Sequence, residues 1–119
     1  MFADPASDNK AVLGQLFVIG KSNHFIAELL EHGLPAKSGD EVIDPSQPIN
    51  VADALTHTSR YYTYPGSLTT PPCSEVVEWL VLTDPIQVAA SDVAGFAKLY
   101  PMNARPAQKD NRRYVLQSS

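Results

Sequence analysis

Ten prolines are spread through 119 residues, from Pro5 to Pro106, and six glycines stand among them. Proline fixes φ, has no amide hydrogen and disrupts a helix interior, so any helix here must fit between these positions. No long helical period fills the gaps. The chain therefore reads as mainly β with a few short helices, not as a helix bundle. Its length suits one domain and allows a core without help from disulfides or a metal. With 44% hydrophobic and 18% charged residues, wholesale disorder is excluded. A net charge of −4 argues against nucleic acid or an anionic membrane as partner, since both attract basic surfaces. Only Arg112 and Arg113 are adjacent cations, so no basic patch can be read. No apolar run approaches the roughly 20 residues of a bilayer span, and the opening "MFADPASDNK" has neither the basic start nor the apolar middle of a secretory signal.

Individual segments give sharper expectations. "AVLGQLFVIG" (11–20) predicts one buried strand. In "SNHFIAELLEHG" the spacing predicts a helix capped by Ser22 or Asn23, with Phe25, Ile26, Leu29 and Leu30 on one face and Gly33 at its end. The proline-rich stretch after it is mainly loop, with a short strand at residues 41–43, and "VADALTH" holds at best one helical turn. "SRYYTYPGS" is a β-rich run ending in Pro65-Gly66, a dipeptide favoured in type II turns. "SEVVEWLVLTDPIQVA" predicts a strand through Leu82, a Thr-Asp-Pro corner and a short continuation. "SDVAGFAKLY" predicts a helix with Ser91 as N-cap and Val93, Phe96, Ala97 and Tyr100 on one side, and the tail ends in a brief strand at residues 113–116. Few long strands leave exposed edges, so the sheet is expected to dimerise or to belong to a larger one.

No complete catalytic or metal-binding set emerges from residue types alone. His24, Glu28 and His32 share one face of the predicted helix, and zinc accepts both imidazole and carboxylate. The spacing is nonetheless loose, and a solvated helix face accounts for it better. His57 reads as an exposed loop residue. Cys73, the one cysteine, cannot close an internal disulfide and reads either as a buried free thiol or as half of a bridge whose partner lies elsewhere. Glycine-rich phosphate loops and a nucleophile elbow are both missing.

One window carries more information. "YYTYPGSLTTPPCSE" followed by Trp79 resembles the α-class carbonic anhydrases, and the likeness runs in order through "KAVLGQLFVIG", "NHFIAELLEH", "DPIQVAASDVAGFAKLY" and "NARPAQKDNRR". The resemblance implies part of a large, twisted, mostly antiparallel sheet, with residues 1–119 forming a single partial domain. It implies reversible hydration of carbon dioxide to bicarbonate by zinc hydroxide, and anions or sulfonamides as inhibitors. Carried over position by position, Thr69 is the residue that accepts a hydrogen bond from the hydroxide and orients it. Thr70 adds a polar contact to bicarbonate. Val12, Leu68, Val77 and Trp79 form the apolar wall beside which carbon dioxide rests. Pro71-Pro72 implies a cis bond, while Asn103, Arg105 and Gln108 occupy scaffold positions, the arginine as a structural ion pair.

The family holds zinc through three histidines that precede the part matched here, and none of His24, His32 or His57 aligns with one. The expectation is that this chain alone binds no zinc and is inactive unless an N-terminal half completes it. A homodimer, or an acatalytic relative kept as a binding scaffold, are the alternatives. Family members with a cysteine after "TTPP" pair it near their N-terminus. By resemblance, then, Cys73 is an unpaired half-bridge and the setting is periplasmic or secreted.

Overall fold

A computed structural model of the chain describes residues 2–3, 8–35, 39, 41 and 48–119. The chain forms two compact units: Met1–Leu16 with Thr56–Asp84 and Ala104–Ser119, and Phe17–Leu55 with Pro85–Asn103.

The first unit is built on a β-rich segment, "VEWLVL", which forms strand β5 (Val77–Leu82). Branched and aromatic side chains pack well on a pleated surface and favour the extended chain. The other strands here are β1 (Phe2–Ala3), β2 (Lys10–Gly14), β4 (Tyr61–Gly66) and β7 (Leu116–Gln117). They give a five-stranded sheet in the order β1-β2-β5-β4-β7. β5 has a neighbour on each side: β2 lies parallel to it, from Lys10 opposite Val77 to Gly14 opposite Val81, and β4 antiparallel, from Tyr61 opposite Leu82 to Gly66 opposite Val77. The pairings of β1 with β2 and of β7 with β4 are also antiparallel. The sheet is mixed, with antiparallel pairs in the majority.

The expected strand over residues 11–20 divides in two. β2 stops at Gly14, and β3 (Phe17–Ile19) belongs to the second unit, where it pairs in parallel with β6 (Ile86–Val88). Gln15 accounts for the break. Its Nε2 donates to the carbonyls of Asp84 (2.8 Å) and Leu16 (3.1 Å), and its Oε1 accepts from the backbone N–H of Thr56 at 3.1 Å. A polar side chain that satisfies several backbone groups fixes a corner where a strand would leave them unpaired. The same contacts, with an Arg60–Asp84 ion pair, secure the Thr83-Asp84-Pro85 corner expected after Leu82. The expectation of burial also fails beyond Gln15, because residues 16–20 are exposed.

In the second unit Asn23 is the residue that caps α1 (His24–Glu28), its Oδ1 accepting from Ile26 N–H at 3.1 Å. The helix does not run regularly to Gly33. It opens into a wider π-type turn over Leu29–Gly33, yet Phe25, Ile26, Leu29 and Leu30 still line one apolar cavity, as the single face expected of them requires. Helix α2 (Ala90–Leu99) starts two residues earlier than expected, so Ser91 lies inside its first turn and the N-cap, Ala89, offers no capping side-chain hydrogen bond. Val51–Ala54 makes one 3₁₀ turn, as expected. Of the strand expected at residues 41–43, residues 42 and 43 lie outside the described residues, and Glu41 is in no strand.

Two further expectations shift. Pro65-Gly66 is the end of β4, not a turn, and the tail strand is β7, three residues beyond its expected start and shorter. The core is also thinner than the chain length suggests. Among the described residues the buried hydrophobic side chains are Ala54, Val77, Leu82 and Val88, while Ile19 remains 63% and Phe17 43% exposed. Leu82, at 0% exposure, is therefore the side chain whose loss costs most. Leu82→Ala is expected to destabilise the chain by about 2–5 kcal/mol through transfer and cavity terms. Met102→Ala, at a 95% exposed position, should change stability by less than about 0.5 kcal/mol. Urea denaturation of the two variants against the parent checks the contrast.

Candidate functional site

The connection from β4 to β5 carries most of the residues singled out from the sequence. β4 ends at Gly66, and the chain then passes through Ser67, Leu68, Thr69 and Thr70 to a cis bond between Pro71 and Pro72, as expected for the pair. The return is closed by Cys73 N–H donating to Thr70 O at 2.8 Å and Leu68 N–H to Ser74 O at 3.0 Å. Cys73 has φ 57°, a left-handed conformation that L-residues other than Asn and Asp seldom adopt outside tight turns. Its thiol is free and half-buried.

Trp79 anchors this loop. It stands opposite Tyr64 on β4 and Val12 on β2, and its Nε1 donates to Ser67 O at 3.2 Å. The indole lies directly over Gly66, where a Cβ would come within 2.7 Å of Trp79 Cδ1 and 3.0 Å of Nε1. Glycine is required there for close approach, not for an unusual φ. Arg105 reaches the loop from the other side. Its Nη1 donates to Ser67 Oγ at 2.7 Å and Leu68 O at 3.3 Å. The expected ion pair is not what holds it: among the described residues Arg105 bonds only neutral acceptors.

An open cavity of about 420 Å³ lies beside this loop, and Thr69, Trp79, Tyr64, Arg105 and Gln108 are among the residues lining it. The Thr69 and Thr70 side chains are exposed, and neither hydroxyl has a hydrogen-bond partner among the described residues. Of the expected site residues, the cavity brings together Thr69 and Trp79. Register puts Val12 and Val77 on the same face of the sheet as Trp79, but neither lines the cavity, and Val77 at 3% exposure packs as core. Leu68 is half-buried in the loop, and the exposed Thr70 is not among the residues lining the cavity. Sequence reading did not single out Tyr64, Gly66 or Ser67 for the site. The period-two placement of Tyr64 against Trp79 across the hairpin is the signal that could have found the first.

The histidines lie elsewhere. His24 Nε2 is 3.1 Å from Glu28 Oε1 on an exposed stretch of α1, His32 is 3.6 Å from Glu31, and His57 is exposed. His24 and Glu28 lie on α1, while His32 lies in the wider turn that follows it. Among the described residues no group of three or more His, Cys, Asp or Glu side chains could hold a metal ion.

Comparison with known proteins bears on this geometry. Residues 2–119 match the family model described as eukaryotic-type carbonic anhydrase. A carbonic anhydrase of Nostoc sp. is 35% identical over 112 residues, which is 94% of this chain and 42% of that protein. One from Pectobacterium carotovorum is 34% identical over 106 residues, covering 88% of this chain and 43% of its own length. The chain thus spans less than half the length of these curated relatives. Among solved structures, a hyperthermostable carbonic anhydrase from a hydrothermal vent chimney superposes with a TM-score of 0.86 at 36% identity, over 98% of this chain and 51% of that one. The α-carbonic anhydrase of Thermovibrio ammonificans, solved with the inhibitor sulfanilamide, gives 0.81 at 35% identity, over 91% and 47%.

The fit of Trp79 over Gly66 makes a local prediction. Gly66→Ala is expected to cost about 1–3 kcal/mol, because the new methyl meets a packed indole on a central strand. It should also shift the emission of Trp79, the one tryptophan in the chain. Thermal melts and fluorescence spectra of the variant check both; an unshifted spectrum with parental stability would contradict the packing.

Proposed function

Because this chain belongs to the eukaryotic-type carbonic anhydrase family, we propose that it supplies one wall of a site for the reversible hydration of carbon dioxide to bicarbonate. The observation that carries the reading is a single cavity shared by the exposed Thr69 hydroxyl and the indole of Trp79. A hydroxyl can accept one hydrogen bond and donate another. Thr69 in that position turns an attacking water or hydroxide so that a lone pair faces the carbon, and restricting its orientation lowers the entropic part of the barrier. Thr70 offers a second polar contact to the bicarbonate product. Trp79 gives this cavity its apolar side, which suits a small nonpolar gas with little to hydrogen-bond, and the family likeness adds Val12, Leu68 and Val77, which do not line it in this chain, to the wall of the completed site.

The described residues do not fit a zinc centre, since no cluster of three ligating side chains forms among them. In this reading the metal ligands of the family come from residues other than these, and the chain works as a partial site. Its setting is the periplasm or the outside of the cell, where a Cys73 disulfide would be stable. Sulfonamides, one of which is bound by the Thermovibrio ammonificans relative, would need the completed site.

Two measurements test the proposal. The purified 119-residue chain is expected to take up less than one equivalent of zinc and to hydrate carbon dioxide no faster than buffer. One tightly bound zinc with fast turnover would overturn the partial-site reading. The second uses a chimera in which this chain replaces the matching part of the Nostoc relative. The chimera should be active, and Thr69→Ala in it should lower kcat/KM by about 100-fold, the scale of losing one orienting contact. Equal activity in the two chimeras would remove Thr69 from its assigned role.

A further inference from the structure

The cations at residues 105–113, scattered along the sequence, are gathered by the fold. Arg105, Lys109 and Arg113 line a second open cavity of about 490 Å³ together with Ser67, Gln108 and Glu75. Glu75 is the one carboxylate on its wall, so the lining carries a net positive charge. Among the described residues the side-chain ion pairs are His24–Glu28, His32–Glu31 and Arg60–Asp84, and neither Arg105 nor Arg113 is in one. Both guanidinium groups are nevertheless held in place. Arg113 donates through Nε to Asp110 O at 2.7 Å, through Nη1 to Pro65 O at 2.9 Å and through Nη2 to Lys109 O at 2.8 Å. Arg105 is fixed by Nη1 on Ser67 Oγ and Leu68 O.

Each guanidinium has five N–H donors. The bonds just named leave Nε and Nη2 of Arg105 free, together with one hydrogen on each terminal nitrogen of Arg113. All their acceptors are neutral, and neither guanidinium is in a side-chain ion pair among the described residues. A planar fork already fixed by backbone contacts loses little further entropy when it takes a carboxylate or phosphate. The volume exceeds that of a bare ion and falls in the range of small-molecule sites.

We propose that Arg105 and Arg113 form a binding site for a small oxyanion, a carboxylate- or phosphate-bearing molecule, held between the two guanidinium groups with Lys109 adding charge. This ligand class lies beyond the hydration reading and does not depend on it. The site has a built-in reporter, because Arg105 bonds Ser67 and the Ser67 carbonyl accepts from the Trp79 indole.

The test titrates the 119-residue chain with inorganic phosphate and, in a separate arm, with malonate, both at constant ionic strength with chloride as the control. Saturable change in Trp79 emission with phosphate, malonate or both, and none with chloride, is the expected result; which arm responds identifies the anion. Arg113→Lys keeps the charge but loses the fork, and should weaken binding at least tenfold. In parallel, the bound anion should protect Arg105 and Arg113 from phenylglyoxal while Arg60 and Arg112 react as before, read by peptide mass spectrometry on the unmutated chain. A response that chloride reproduces, an affinity unchanged in Arg113→Lys, or equal modification of all four arginines with and without anion would overturn the site.

Discussion

The packing of the Trp79 indole on Gly66 is the contact from which the candidate site follows. It brings the end of β4 against β5 more closely than any residue with a Cβ would allow. That approach places Ser67 O within reach of the indole N–H, and Arg105 then binds the Ser67 hydroxyl and the Leu68 carbonyl. Thr69 is the next residue, delivered to the cavity by a backbone fixed from two sides. Aromatic rings contribute a large contact area and, for tryptophan, one polar handle, and here both are used. A loop held this way can present exposed hydroxyls without folding back to satisfy them.

A second constraint is the corner at Gln15. One side-chain amide satisfies backbone groups of Leu16, Thr56 and Asp84, so both chains of the parallel pair break at nearly the same level. The register shows the consequence: β2 and β5 pair with an offset of 67 residues, whereas β3 and β6 pair with an offset of 69. Two extra residues are accommodated in the Thr83-Asp84-Pro85 corner. The two compact units meet their chain boundaries at these points.

Much of the architecture is legible in the sequence because it depends on local chemistry. Proline placement limits helix length, the β-rich apolar run at Val77–Leu82 specifies the central strand, and the Thr-Asp-Pro corner appears where expected. Asn23 caps α1 as a short polar side chain should. Two of the failures have a common form. Pro65-Gly66 has the composition of a turn, but pairing with Glu78 and Val77 keeps it extended. Residues 11–20 look like one strand, yet a long-range bond to Asp84 divides them. Ser91 is a good cap that the helix start bypasses. In the first two cases a partner distant in sequence overrides a local preference.

The candidate site divides along the same line. From the sequence alone came the β character of the chain, the special status of "GSLTTPP" and Trp79, and the family likeness, because these are properties of residue type and order. Only the tertiary structure decided which of those residues share a cavity. It joined Thr69 to Trp79, put Val77 into the core, and gathered Arg105, Lys109 and Arg113 around one opening. The physical reason is that burial, cavity lining and charge compensation arise from pairings across many residues. A linear pattern specifies which side chains are available, and the packed chain determines which of them meet.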